Sequence, residues 1–296
     1  MNETSPINLN SCDLEPIHIP GSIQPCGHML IADPQTGKIV GYAGVGKTDA
    51  SLLGTQLEAV IGIDCTTVQK ALPSSGIHIV GSVQFANEIV DAVAYASGAY
   101  VVIELTEMNK ETSLDAAFLV EIDAIESRLD RTASLEDLSN EAAQIFQRLT
   151  GYGRVMVYRF VDDEAGVVLG ESILDSSPSF MHHHFPASDI PRQARALYVR
   201  NKVRVIADVH YEPAPIISSS SELKTIDLSD STLRSVSPVH IQYLKNMGVA
   251  ASASMSIVKD GVLWGLVACH HDRKRALPLI SRLACQTMAS SAHVHR

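Results

Sequence analysis

The chain has 296 residues, with 23 Lys and Arg against 33 Asp and Glu, for a formal net charge of −10. At roughly 100–200 residues per domain this length points to about two domains. An acidic chain without a dense Lys/Arg stretch excludes a grip on a nucleic-acid backbone, and 46% hydrophobic with 19% charged residues excludes a largely disordered polymer.

Residues 1–25 hold Pro6, Pro16, Pro20 and Pro25, which keep this stretch extended or turned. It has no basic region followed by an apolar run, and no later stretch reaches the length of a membrane span, so neither a secretory signal nor a membrane location is expected. From His28 to Met108 the pattern is strand-like. His28–Ala32, Lys38–Tyr42, Ile77–Phe85, Glu88–Tyr95 and Tyr100–Glu107 read as five strands, with turns at Pro34–Gly37 and Ala96-Ser97-Gly98. Two small helical pieces fall near Asp49–Leu53 and Thr66–Ala71. This is the pattern of a compact α+β sensor-type domain.

Two helices follow. Leu114, Phe118, Ile122 and Ile125 recur at helical spacing after a Thr112 or Ser113 cap. Ser134, with Asp137 three positions on, can cap a second helix whose apolar face is Leu135, Leu138, Ala142, Ile145, Phe146 and Leu149, closed by Gly151. Strand signals return at Val155–Phe160, Gly166–Glu171 and Val203–Val209, and Phe180–Asn201 holds a loop and a helix. Tyr211–Leu233 reads as a long polar loop, a length that is often functional. A short helix, two strands and a C-terminal helix over about Leu277–His295 complete the chain.

Three local constructions position chemistry. In SPVHIQYLKNMG, Ser237 suits an N-cap, Pro238 the first helical position and Gly248 the stop, and His240, Tyr243, Leu244 and Met247 share one face. In DIPRQARALY, Asp189 precedes a helix begun by Pro191, with Ile190, Ala194, Leu197 and Tyr198 inward and Arg192 outward. Each of these alone reads as ordinary packing and capping. In Ala251–Lys259, Ser252, Ser254 and Ser256 alternate with apolar residues, and Asp260-Gly261 signals a hairpin. A two-residue turn would pair Ser252 with Cys269 and set His270 on the opposite face. A three-residue turn would pair Ser252 with Ala268 and bring His270 to the serine face; that turn is the expectation.

These constructions, with FPASDIPRQARALY (Phe185–Tyr198), WGLVACHH (Trp264–His271) and the N-terminal CDLEPIHIPGSIQP (Cys12–Pro25), resemble the bacterial phytochromes over nearly the whole chain. The resemblance implies an α+β fold of two antiparallel-sheet sensor domains with flanking helices. A PAS domain with its N-terminal extension would occupy residues 1–125 and a chromophore-binding GAF domain residues 126–296, with a figure-of-eight knot between them. It implies red/far-red light sensing by covalently bound biliverdin IXα. The propionates fall to Arg204 and Arg234 with Tyr198, Ser252 and Ser254. Asp189 and His240 hold the pyrrole protons beside Ile190 and Pro191. Met156, Tyr158, Phe185 and Tyr243 wall the D ring, His270 meets its carbonyl, and Met247 is a further cofactor-binding residue.

The plant-type attachment position holds Val239, so Cys12 is the implied thioether residue. Cys26 stands where the family often has His; a competing thiol, a disulfide partner and a simply buried residue are the alternatives, and burial is expected. The resemblance further implies a non-enzymatic cytoplasmic fragment without PHY and output domains, dimeric through helices 113–148 and 277–292. Two other readings use the same chain: a near-infrared fluorescent biliverdin protein, and a nucleotide-binding GAF module. His182-His183-His184 and the group Cys12, Cys26 and His28 lack zinc-ligand spacing, so no metal is expected. The odd count of five cysteines, with Cys65, Cys269 and Cys285 completing it, is no disulfide framework and fits a reduced compartment.

Overall fold

The structure, a computed structural model, describes residues 15–44, 52–108, 120, 123–125, 127–128, 134–161, 165–174, 178–186, 190 and 192–291. The first half builds a six-stranded antiparallel sheet. Its strands are β2 (Gly27–Asp33), β3 (Lys38–Ala43), β4 (His78–Phe85), β5 (Glu88–Ser97), β6 (Tyr100–Glu107) and, from the second half of the chain, β12 (Ile217–Ser218), in the order β12-β3-β2-β6-β5-β4. All five expected strands are present. The last turn falls one step later than the sequence suggested, because β5 runs on to Ser97 and pairs it with Tyr100.

Two short helices, α1 (Leu57–Ile61) and α2 (Cys65–Ala71), cover one face of this sheet. The expected piece near Asp49–Leu53 lies largely outside the described residues. Helix α1 comes after it, with no side-chain cap on its first turn, so no capping residue announces it. The sheet's other face is covered by the segment expected as a polar loop. Ala214, Ile216, Leu223, Ile226, Leu228 and Leu233 pack on Met29, Ile31, Tyr95 and Val102. Burial on both faces explains why Met29-Leu30-Ile31-Ala32 is continuously apolar rather than alternating.

The second sheet has the order β10-β13-β14-β7-β8-β9. Its members are β7 (Arg154–Phe160), β8 (Gly166–Ile173), β9 (His184–Phe185), β10 (Val203–Ile206), β13 (Ala251–Lys259) and β14 (Val262–His271). Helix α3 (Leu135–Thr150) lies over it with α6 (Leu279–Ser291). Helix α3 keeps the expected ends: the Ser134 hydroxyl accepts from the Asp137 amide at 3.0 Å, and Gly151 takes φ 65°. Leu135 is 40% exposed and does not join the apolar face assigned to it. Of the first predicted helix, Leu114, Phe118 and Ile122 lie outside the described residues, while Ile125 is buried in the α3–α6 core. Side chains alternate along these strands away from the bulges. Ala251, Ala253, Met255, Val267, Cys269, Val155 and Val157 face that core, which leaves the intervening residues to the opposite face.

A two-stranded ribbon ties the halves together. Strand β1 (Ser22–Ile23) pairs with β11 (Ala214–Pro215). On the other flank Ile23 bridges Arg234, the Gln24 amide donates to the Leu233 carbonyl at 2.7 Å, and the Leu228 amide donates to the His18 carbonyl at 2.7 Å. Residues 18–24 are therefore gripped from both sides by 214–235, the contacts that threading through this loop requires.

The serine hairpin corrects one expectation. The turn has two residues, with Lys259 paired to Val262 and positive φ at Asp260 (52°) and Gly261 (78°). A bulge between Ile257 and Val258 then shifts the register. Ser252 comes opposite His270, not Ala268, and the expected shared face is reached by a different route.

Candidate functional site

The free face of the second sheet forms the floor of a cavity of about 610 Å³. Met156 and Tyr158 of β7, Ser252 and Ser254 of β13, and Ala268 and His270 of β14 rise from that floor. Helix α4 (Arg192–Arg200) supplies Ala194, Leu197 and Tyr198 from one side, as its spacing predicted. Helix α5 (Pro238–Asn246) supplies His240 and Tyr243 from the other, with Met247 at its end. Its N-cap is Ser237, whose hydroxyl accepts from the Val239 amide at 3.3 Å, and Pro238 opens its first turn.

One end of the cavity is cationic. Arg204 and Arg234 are buried, at 9% and 7% exposure, and neither makes an ion pair among the described residues. Arg204 donates through Nη2 to the Arg234 carbonyl, while its buried Nη1 has no partner among the described residues. Arg234 donates weakly to the Leu228 carbonyl at 3.4 Å. Burial and the neighbouring Arg204 charge pull the Arg234 guanidinium down to about 9, and burial lowers Arg204 as well. Two buried, mutually repelling guanidinium groups with spare donors are poised for an anion. Ser254 is the cross-strand partner of Arg204 and brings a hydroxyl to the same end.

The other end is aromatic and neutral. Tyr158 lies 5.8 Å from Phe185 and 5.3 Å from Phe160, between ring centroids. Gly166 lies directly beneath the Tyr158 ring, where any Cβ would overlap it. His240 stacks on Tyr243 at 6.0 Å with a 19° interplanar angle. Burial, with a smaller push from Arg204, takes His240 down to about 4. Burial, then Arg154 and His240, take His270 to about 4. Both imidazoles are therefore neutral at pH 7, each with one donor and one acceptor nitrogen.

Thirteen expected site residues lie within the described chain, and all thirteen line this cavity: Met156, Tyr158, Phe185, Ile190, Tyr198, Arg204, Arg234, His240, Tyr243, Met247, Ser252, Ser254 and His270. Cys12, Asp189 and Pro191 lie outside the described residues. Sequence reasoning missed Glu15 and Ser237, which also line the cavity and hydrogen-bond to each other at 2.6 Å. Glu15 sits inside the N-terminal motif, so the signal was present there. The expectation for Cys26 fails, because its residue is exposed. Packing around the sulfur still raises the thiol pKa by desolvation, against the opposing Arg282 charge. Cys26 is not among the cavity-lining residues. No cluster of three or more metal-ligating side chains occurs among the described residues, and no described helix is long and apolar enough to cross a membrane.

Residues 134–294 match the GAF domain family and residues 12–108 the PAS fold family. A bacteriophytochrome from Xanthomonas campestris pv. campestris is 40% identical over 282 residues, covering 90% of this chain and 44% of that protein. Cyanobacterial phytochrome B from Nostoc sp. is 35% identical over 303 residues, covering 97% of this chain and 40% of that protein. The chain thus spans less than half the length of these curated relatives. Among solved structures, the chromophore-binding domain of Stigmatella aurantiaca phytochrome P1 superposes with a TM-score of 0.86 at 32% identity, covering 96% of this chain and 99% of that one.

Proposed function

The chain belongs to the bacteriophytochrome family, with a PAS domain followed by a GAF domain, and from that premise we propose that it senses red and far-red light through biliverdin IXα held in the GAF cavity. The observation that carries this reading is the pair of buried guanidinium groups, Arg204 and Arg234, which have no carboxylate partner among the described residues, at one end of a cavity whose other end is aromatic and neutral. A linear tetrapyrrole with two propionates and an apolar ring system has that same division of charge. The cavity volume of about 610 Å³ falls within the ~300–1,000 Å³ of ligand sites. Arg204 Nη1, without a partner among the described residues, is a donor suited to a propionate oxygen.

The residues divide the work by their chemistry. Arg204 and Arg234 hold the propionates, assisted by the hydroxyls of Tyr198, Ser252 and Ser254. Two guanidinium groups cancel two propionates, so a positive charge on the ring system needs its own partner. Asp189 supplies it, flanked by Ile190 and Pro191. Neutral His240 keeps the pyrrole protons in place without adding a repelling charge. Neutral His270 donates to the terminal ring carbonyl, and Met156, Tyr158, Phe185, Tyr243 and Met247 enclose that ring. Cys12 attaches the pigment through a thioether. When bound, the bilin supplies red absorption and Z-to-E isomerisation at the bridge between rings C and D. The protein's part is to clamp the propionate-bearing rings by charge and leave the terminal ring held by packing and the single His270 hydrogen bond, which permits rotation. The reading extends to a cytoplasmic, non-enzymatic sensory module that pairs as a homodimer through helices 113–148 and 277–292.

The experiment is reconstitution of purified apoprotein with biliverdin, followed by red-region absorbance and a zinc-stained denaturing gel. A red-absorbing band and a fluorescent protein band are expected, and Cys12→Ala abolishes the second. Protein that stays colourless overturns the reading.

A further inference from the structure

None of the residues lining the cavity comes from 27–108, the body of the first domain. Yet one buried carboxylate of that domain reaches the site through a chain of hydrogen bonds. Glu104 lies on β6, in the interior of the first sheet, with Met29 and Val93 as its cross-strand partners and no exposed surface. A carboxylate there costs several kcal/mol unless its oxygens are fully engaged.

Both oxygens are engaged by residues 231–233. The Ser231 hydroxyl donates to Oε1, where the Leu233 amide also donates at 3.4 Å. The Thr232 amide and hydroxyl donate to Oε2 at 2.9 and 2.5 Å. Ser231 is itself fully buried, and its oxygen accepts from the Arg234 amide at 2.8 Å and the Leu233 amide at 3.2 Å. The Arg234 carbonyl then accepts from Arg204 Nη2 and, at 3.4 Å, from Gln24 Nε2. Glu104 therefore fixes the backbone from which Arg234 projects, and that backbone also receives Arg204. Glu104 makes no ion pair with either arginine among the described residues, and its charge favours protonated Arg204 only from a distance.

We propose that Glu104 is a positioning residue for propionate recognition, acting through Ser231 to set Arg234, and through the Arg234 carbonyl Arg204, against the ligand's carboxylates. The assignment rests on the bilin reading above. It makes the first domain a determinant of ligand charge selectivity without touching the ligand. Glu104→Gln replaces one acceptor oxygen by an NH₂ group that faces donors, which moves residues 231–234 while keeping volume. Ser231→Ala removes the same relay one step closer to Arg234.

The test compares biliverdin with its dimethyl ester, which has the same ring system and no propionate charge, in a Cys12→Ala background so that binding stays reversible. Absorbance titration gives both affinities. Charge-assisted bonds lead to a preference for the diacid of roughly 10–100-fold in the parent. Glu104→Gln and Ser231→Ala each cut that preference about 5-fold or more, by weakening diacid binding while ester binding stays within about 2-fold. A scaffold role alone weakens both pigments equally. If the parent prefers the diacid and both variants keep that preference, the assignment is overturned and the bilin reading stands. If the parent binds neither pigment, the bilin reading falls and the assignment with it. Should Glu104→Gln not fold, Ser231→Ala decides.

Discussion

Replacing Arg204 by Met should stabilise the ligand-free protein and weaken the bound state. In the absence of an anion, Arg204 is a buried charge with one donor unpartnered among the described residues, beside a second buried cation. The drop of Arg234 from 12.5 to about 9 corresponds to roughly 5 kcal/mol at 1.36 kcal/mol per pH unit. Burial is its larger cause and the Arg204 charge its second, so repulsion is the smaller of the two contributions that lower it. Methionine of similar length also removes the cost of burying the Arg204 charge, and gives up one charge-assisted hydrogen bond of about 1.5–3 kcal/mol. The net expectation is a gain of about 1–2 kcal/mol, in keeping with buried charges replaced by apolar side chains. Urea unfolding of the apoprotein, read by fluorescence of Trp264, should show a higher midpoint at unchanged slope. Titration of the same variant with biliverdin should show roughly 10–100-fold weaker binding. An Arg204→Met apoprotein that is less stable than wild type would refute the view that these arginines are held in tension for an anion.

Three other outcomes follow from the geometry. His240 and His270 sit at about 4 in the folded chain against an ordinary 6.5, so between those values the unfolded chain binds protons that the folded one does not. Stability of the apoprotein should fall as pH drops from about 6.5 to 4, by at most about 3 kcal/mol per histidine and less than twice that for the pair; His270→Gln should flatten the dependence of urea midpoint on pH, and an equally steep variant would count against it. Cys26→Ala should keep the full zinc-stained adduct, because Cys26 does not line the cavity; a lost or halved band would show that this thiol reaches the ligand. Gly166→Ala places a methyl where the Tyr158 ring lies, whereas Gly170→Ala drives one into the backbone of Ser139 and Asn140 on α3. The first should shift the absorption maximum of the holoprotein, and the second should lower stability by about 1–3 kcal/mol with the maximum unchanged; identical spectra for Gly166→Ala and wild type would remove Tyr158 from the ligand's surroundings.

What could be read from the sequence was what short-range physics encodes. Ser134, Asp137 and Gly151 bound α3 because capping is a matter of three or four residues. The stripe of His240, Tyr243, Leu244 and Met247 faces the cavity because helical spacing alone fixes that face. Segment 211–233 defeated the same logic. Its serines and prolines signal a polar loop, but Leu223, Ile226, Leu228 and Leu233 are the roof of another domain's sheet, and Ile217–Ser218 pair with Gly41 and Tyr42. Nothing local announces a partner some 180 residues away. Glu104 was invisible for the same reason. A lone acidic residue amid apolar strand residues reads as a break in the pattern, and its role depends on donors that arrive from 231–233.

The hairpin shows why a correct conclusion about a site need not rest on a correct local structure. Whether His270 joins Ser252 and Ser254 depends only on the parity of the pairing offset, since a one-residue slip turns every side chain to the other face. Asp260-Gly261 selects a two-residue turn, and with no further irregularity that would have put His270 on the α3–α6 side, among the apolar core residues. The extra residue at the bulge restores the parity. Trp264 falls in that irregular stretch, between Leu263, paired with Val258, and Gly265, paired with Ile257. It packs at the rim of the core with the Arg159 guanidinium 5.6 Å from its ring. A large amphipathic ring in the bulge costs little at a sheet margin and would be hard to place inside regular pairing. The position of the one tryptophan in the chain is therefore tied to the direction in which His270, some 20 Å further along the strand at about 3.4 Å per residue, presents its imidazole.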